Sequence, residues 1–182
     1  MIQVLMLLML CCLSAQGTFA PTEMARKEAE SYLKPLPGNG VVPLKTIAGD
    51  FASNQMAASG KYSDRRITVI GRIAKLSKGS GDNKVLIVTL QDASANLPAV
   101  KGEFLSGTIP QNSELEISGD GSSAVLLSRD RSGMILGRKP YLSLGQRVGL
   151  KGSFKEIQVG DIVLTDCALV SKQKLKELSA HD

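Results

Sequence analysis

Tryptophan is absent from this 182-residue chain, histidine occurs once, and aromatic residues make up only 4% of it. Cysteine occurs three times, and two of the three, Cys11 and Cys12, are neighbours near the N-terminus. Each shortage closes a class of chemistry. Histidine is the commonest general base, and with cysteine it supplies most zinc ligands. The single His181 stands next to the C-terminus. Cys11 and Cys12 fall in a run read below as a leader, so the mature chain is expected to keep only Cys167 and His181, too few for a closed zinc site and with no base–nucleophile pair expected of them. Acidic loops with calcium-binding spacing are missing too. The glycine clusters at 79–84 and 119–123 lack phosphate-loop spacing and read as turns. Glu114 and Glu116 share one face of a strand and read as a solvated face. No catalytic residue, metal or cofactor is expected, and the chain is read as a non-enzyme.

What is present is globular. Hydrophobic residues reach 43% and charged residues 21%, which excludes a wholly disordered chain. The core must be built from Val, Ile, Leu and Ala. The length suits one domain with a small appendage. Lys and Arg total 22 against 17 acidic residues, a net charge of +5. These charges are spread without a block of five of one sign, so a polybasic arm is absent.

No charged side chain precedes Glu23, and residues 4–13 form an apolar run. Ten residues are too few to cross a bilayer core, which needs about 20. The run matches a signal-peptide core, followed by small residues at Ser14, Ala15, Gly17 and Ala20. Residues 1–20 are therefore expected to be a cleaved leader, which makes the protein periplasmic or secreted, with no stable membrane span. Three other readings of the run stay open: an uncleaved anchor, a buried helix, or lipidation at Cys11 or Cys12. Cleavage would leave Cys167 as the lone thiol. It reads either as a small buried hydrophobe or as a site of intermolecular disulfide formation or reactivity.

Residues 21–43 read as a linker or short helix over 23–33, broken by the Pro and Gly of 34–40. Residues 44–170 read as one domain. Leu44, Ile47, Ala48, Phe51, Ala52 and Met56 recur at helical spacing, which predicts an amphipathic helix over 44–59 ended by Gly60. The period then changes to two. Ile67, Val69, Gly71 and Ile73 share one face of a strand, with Arg66, Thr68 and Arg72 opposite. Residues 84–90 and 98–104 make two more strands, the latter with Val100, Gly102 and Phe104 inward. An insertion at 106–140 carries a hairpin over 113–128. Val148, Leu150, Gly152 and Phe154 then alternate, followed by Ile162, Leu164, Asp166 and Ala168. Residues 171–182 form a polar tail, read as a frayed helix. Short strands with repeated glycines predict a mainly β protein: a five-stranded OB-type barrel preceded by an amphipathic helix, with an inserted β-hairpin between strands 3 and 4.

The order Asn54-x-x-Ala57-Ala58, Lys61-Tyr62, Val69-x-Gly71-x-Ile73, Leu144-Gly145-x-x-Val148-x-Leu150-x-Gly152 and Leu164-x-x-Cys167 resembles the bacterial tRNA_anti-like OB-fold family. The resemblance covers about 44–170 and implies an OB barrel without implying an activity or tRNA binding. It also implies that relatives carry a third-strand cysteine able to pair with the late one. Here that strand reads Val100-Lys101-Gly102-Glu103-Phe104.

OB barrels bind ligands on the outer face of strands 2–3 and in the loops joining strands 1–2 and 4–5. By that analogy Lys78, Asn83, Lys84, Lys101, Lys155 and Gln158 are the candidate ligand-binding residues. The expected partner is an envelope protein, a glycan or a small ligand. Single-stranded nucleic acid is the disfavoured alternative. Arg66, Arg72, Lys84, Lys101, Lys151 and Lys155 supply outward charge, but stacking rings are lacking and only Tyr141 stands near a loop. A third alternative is a structural subunit whose hairpin 113–128 adds a strand to a partner or caps its own barrel.

Overall fold

The computed structural model describes residues 36–38, 40–80, 84–93, 96–109 and 113–179, the side chains of Lys84 and Ser179 excepted. The expected leader, the helix expected over 23–33, Cys11, Cys12, Asn83 and His181 lie outside these residues.

The helix expected over 44–59 is two helices, α1 (Leu44–Ser53) and α2 (Gln55–Tyr62). Asn54 separates them with an extended backbone, φ −154° and ψ 96°, and its Oδ1 accepts the Ala57 amide at 3.0 Å. A side-chain oxygen that satisfies an orphan amide starts a new helix. The break turns the following residues off the apolar face. Met56, expected inward, is 86% exposed, and Ala52 is exposed as well. Gly60 lies inside α2 instead of ending it. Leu44, Ile47, Ala48 and Phe51 are buried as expected.

The barrel consists of β2 (Arg66–Lys78), β3 (Lys84–Leu90), β4 (Val100–Leu105), β8 (Arg147–Gln158) and β9 (Asp161–Leu169). The ring runs β2-β3-β4-β9-β8 and closes through β2–β8 pairing, which is the OB-type barrel. One long strand makes closure possible. Residues 66–72 of β2 pair with β8, and residues 73–78 pair with β3. A register shift between Ile73 and Lys75 falls where β2 takes up its β3 partner. A short strand β1 (Val41–Pro43) lies parallel to β2, outside the ring and within the stretch expected as linker. Helix α1 packs against the barrel at Gly71, where an added methyl would stand 2.9 Å from Leu44 Cδ2. Phe51 stacks on Phe154 of β8 and on Tyr62 at centroid distances of 5.4 and 5.7 Å.

Two expectations about strands need correction. The hairpin expected over 113–128 is present as β5 (Ser113–Ile117) and β6 (Ser123–Arg129), but a third strand, β7 (Ile135–Ser143), pairs with β6 and makes the insertion a three-stranded sheet. Strand β7 carries Arg138, Lys139 and Pro140 on exposed backbone, so its sequence shows no buried alternation. The second correction concerns β9. Strict alternation would place Cys167 opposite Leu164, yet both are fully buried. Asp166 adopts φ 51°, and two residues of β9 face the single Gly152 of β8. This β-bulge rotates Cys167 inward. Arg66 holds the bulge, with Nη1 donating to Asp166 Oδ2 at 2.7 Å and Nη2 to its carbonyl at 3.1 Å.

Cys167 is thus the small buried hydrophobe, and its reading as a reactive or intermolecular thiol is overturned by zero exposure. Burial, then the Asp166 charge, pushes its thiol up to about 12. Tyr62 is fully buried as well and donates to Asp50 Oδ2 at 2.6 Å, beside Lys61 Nζ at 2.9 Å. Burial and that carboxylate push its phenol far up. Both groups stay protonated in the folded state at a pH where the unfolded chain has released them. The Cys167 contribution to stability is therefore complete below about pH 8.5 and that of Tyr62 below about pH 10, and each falls as pH rises further, by up to about 1.4 kcal/mol per pH unit. Urea midpoints measured across this alkaline range are expected to fall, and Tyr62→Phe to flatten the fall. An identical slope in the variant would show that Tyr62 does not contribute.

Candidate binding site

Alternation decides what each barrel strand shows to solvent. Leu76, Leu86, Val88, Val100 and Phe104 point inward and are buried. Their neighbours point outward, and strand register assembles them. Lys75 pairs with Thr89, and Thr89 with Lys101. In the next row Ser77 pairs with Ile87, and Ile87 with Glu103. These two rows floor a hollow of about 170 Å³ on the outer face of β2, β3 and β4, bordered also by Gln158 and Val163.

The Lys101 and Glu103 charges in this hollow are matched. Lys101 Nζ lies 2.7 Å from Asp161 Oδ2, and Asp161 Oδ1 accepts the Ala99 amide at 3.3 Å. Glu103 is 5% exposed although it points outward, and Lys155 Nζ lies 3.7 Å from its Oε2. Lys155 also lies 3.4 Å from Glu156.

Lys75 and Ser77 border a second, larger cleft of about 710 Å³ between the end of β2 and the inserted sheet. Its far wall carries Glu114 paired with Arg129 at 2.6 Å and Glu116 paired with Arg138 at 3.5 Å. Leu127, 4% exposed, lies between them in the wall. The β5–β6 turn meets β2 closely at Gly121. With φ 68° that residue adopts a left-handed conformation, and a methyl there would stand 2.9 Å from the Leu76 carbonyl oxygen. Asp120 in the same turn is held down to about 2 by the Ser118 hydroxyl and the Ser122 amide, so it adds a fixed negative charge. The hollow and the cleft share Lys75 and Ser77 and form one groove.

Of the residues expected to bind a ligand, Lys101, Lys155 and Gln158 come together around Glu103. Lys78 lines the adjoining cleft. Lys84 opens β3, and Asn83 lies outside the described residues. Sequence reasoning missed Lys75, Ser77, Thr89 and Glu103. It follows the first strand only to Ile73, whereas β2 continues to Lys78. The alternation Lys75-Leu76-Ser77 was the signal that could have found them.

Besides Lys101 and Lys155, two more of the cations expected to face a nucleic acid are engaged by the protein itself. Arg66 holds Asp166, and Arg72 Nη1 donates to the Gly145 carbonyl at 3.0 Å. Among the described residues no aromatic ring lines the groove. Phe51, Phe154 and Tyr62 form the stacked cluster, Phe104 is fully buried, and Tyr141 borders a separate cavity with Arg147 and Lys176. No described helix is long and apolar enough to cross a membrane.

No family model and no curated protein matches the chain. Among solved structures, it is similar to one described as a "putative nucleic acid-binding lipoprotein" from Klebsiella pneumoniae subsp. pneumoniae. Identity is 18% and the TM-score 0.48, over 72% of this chain and 91% of that one.

Proposed function

We propose that the chain is a non-catalytic, exported OB-fold binding module of the tRNA_anti-like kind, and that its ligand is a segment of another protein lying along the groove. The observation that carries this reading is the groove's lining: pairs of opposite charge side by side, hydrogen-bonding side chains between them, and no ring among the described residues. A polypeptide presents charges of both signs together with main-chain donors and acceptors. A nucleic acid presents charge of one sign and bases that need stacking platforms. The 170 Å³ hollow is below the range of about 300–1,000 Å³ usual for small-molecule pockets, and the adjoining cleft is charged where such pockets are mainly apolar.

Fluorescence anisotropy of labelled single-stranded DNA and RNA at physiological salt tests the choice. Binding is expected to be no tighter than about 10⁻⁴ M, the weak end of purely electrostatic association. Micromolar binding lost in a Lys75→Glu, Lys101→Glu double variant would overturn the reading in favour of nucleic acid.

A further inference from the structure

The inserted sheet has an open edge. Among the described residues β7 pairs with β6 alone. The later part of that edge is guarded. Arg138 and Lys139 charge it, and Pro140 has no N–H to offer, devices that discourage the addition of another strand. The start of the strand carries neither charge nor proline and is guarded only by a bulge, which leaves Leu136 without a partner residue on β6. Met134 and Leu136 are 66% and 68% exposed, and Ile135 between them is 40% exposed. Consecutive exposed apolar residues are unfavourable on a monomer's surface unless they bind something. The turn in front of them is held in place. Asp130 Oδ1 accepts the amides of Ser132 and Met134 at 2.8 Å each and the Ser132 hydroxyl at 2.6 Å.

The charge around this stretch is one-sided. Between residues 129 and 140 there are four cations, Arg129, Arg131, Arg138 and Lys139, and one carboxylate, Asp130, which the turn engages. Arg129 and Arg138 hold Glu114 and Glu116. Arg131 and Lys139 are exposed and flank the apolar stretch on either side. We infer that residues 134–137 are a docking edge at which an extended segment of a partner protein, apolar at its centre and acidic at its ends, adds as a fourth strand of the inserted sheet. A second copy of this chain would bring the same positive charge against itself. A lipid surface would leave the main-chain N–H and C=O groups of the edge without partners. Met134 and Leu136 line neither part of the groove, whereas Ile135 borders its cleft, so Leu136→Ser tests the edge without touching the groove.

Titration of the ¹⁵N-labelled protein with the synthetic peptide Glu-Glu-Val-Thr-Val-Thr-Glu-Glu tests this edge. Amide shifts are expected to concentrate at 134–139. Affinity is expected to drop on the order of tenfold both in Leu136→Ser and in an Arg131→Glu, Lys139→Glu variant. These side chains are exposed, so an unchanged thermal midpoint will show that the variants fold. Equal binding of the Lys-Lys-Val-Thr-Val-Thr-Lys-Lys peptide, or no shift at 134–139, would overturn the inference. A dimer formed through β7, or pelleting with phosphatidylglycerol vesicles that Leu136→Ser abolishes, would overturn it in favour of the other occupants.

Discussion

Gly152→Ala is expected to destabilise the barrel by about 3 kcal/mol, the upper part of the range for an overpacked core. The added methyl would stand 2.6 Å from Cys167 Sγ, 3.0 Å from the Thr165 carbonyl oxygen and 3.3 Å from Leu164 Cβ. None of these is the free end of a flexible side chain. The Thr165 carbonyl belongs to the bulged backbone beside Asp166, and Arg66 fixes that bulge. Relaxation at this point would have to undo the β8–β9 pairing. Equilibrium urea unfolding reads the effect. A double variant with Cys167→Ala is expected to lose less than the two single variants together, because removing the sulfur clears the shortest contact. Strict additivity would mean that Gly152 and Cys167 do not meet as described.

The second large effect is a gain. In Gly102→Cys the new Cβ would lie 3.7 Å from Cys167 Cβ, inside the 3.5–4.5 Å spacing of disulfides. Oxidation should join the two residues across β4 and β9. Closing a loop of about 65 residues is worth up to about 4 kcal/mol through the unfolded chain. Part of this is lost because Leu150 Cδ1, 2.9 Å from the new Cβ, must swing aside. A net gain of about 2 kcal/mol remains after an overpacking cost of about 2 kcal/mol. It is measured as the difference in urea midpoint between the oxidised variant and the unsubstituted protein. Two titratable thiols persisting after oxidation would contradict the packing of Cys167 against β4. Cys167 Sγ fills the space above Gly102, 3.2 Å from where a Cβ would stand.

The barrel was largely legible because a strand with one buried face writes its period into the sequence. Val100, Gly102 and Phe104 alternate with charged residues, and all three are buried. What was not legible depends on single residues that interrupt a period. Asn54 looks like any polar residue of a helix until its side chain caps the next one. Asp166 reads as one more step of an alternation, and only a left-handed backbone gripped by Arg66, a hundred residues away, turns Cys167 inward. Strand β7 was hidden because an exposed edge has no apolar face to reveal it. The groove was half legible. Lys101, Lys155 and Gln158 follow from where OB barrels bind. Glu103, by contrast, acquires its place only through cross-strand pairing with Ile87 and the reach of Lys155 from β8.

Site-specific photo-crosslinking from the groove tests the central claim most directly. With a benzophenone side chain at Ser77, which borders both the hollow and the cleft, crosslinking in the producing cells should join the chain to one protein. The crosslinked residue should fall in a segment carrying both charge signs, and the yield should drop when Lys75→Glu and Lys101→Glu are combined. Crosslinks to nucleic acid, or a yield at Ser77 no higher than from the fully exposed tip residue Val159, would contradict the account.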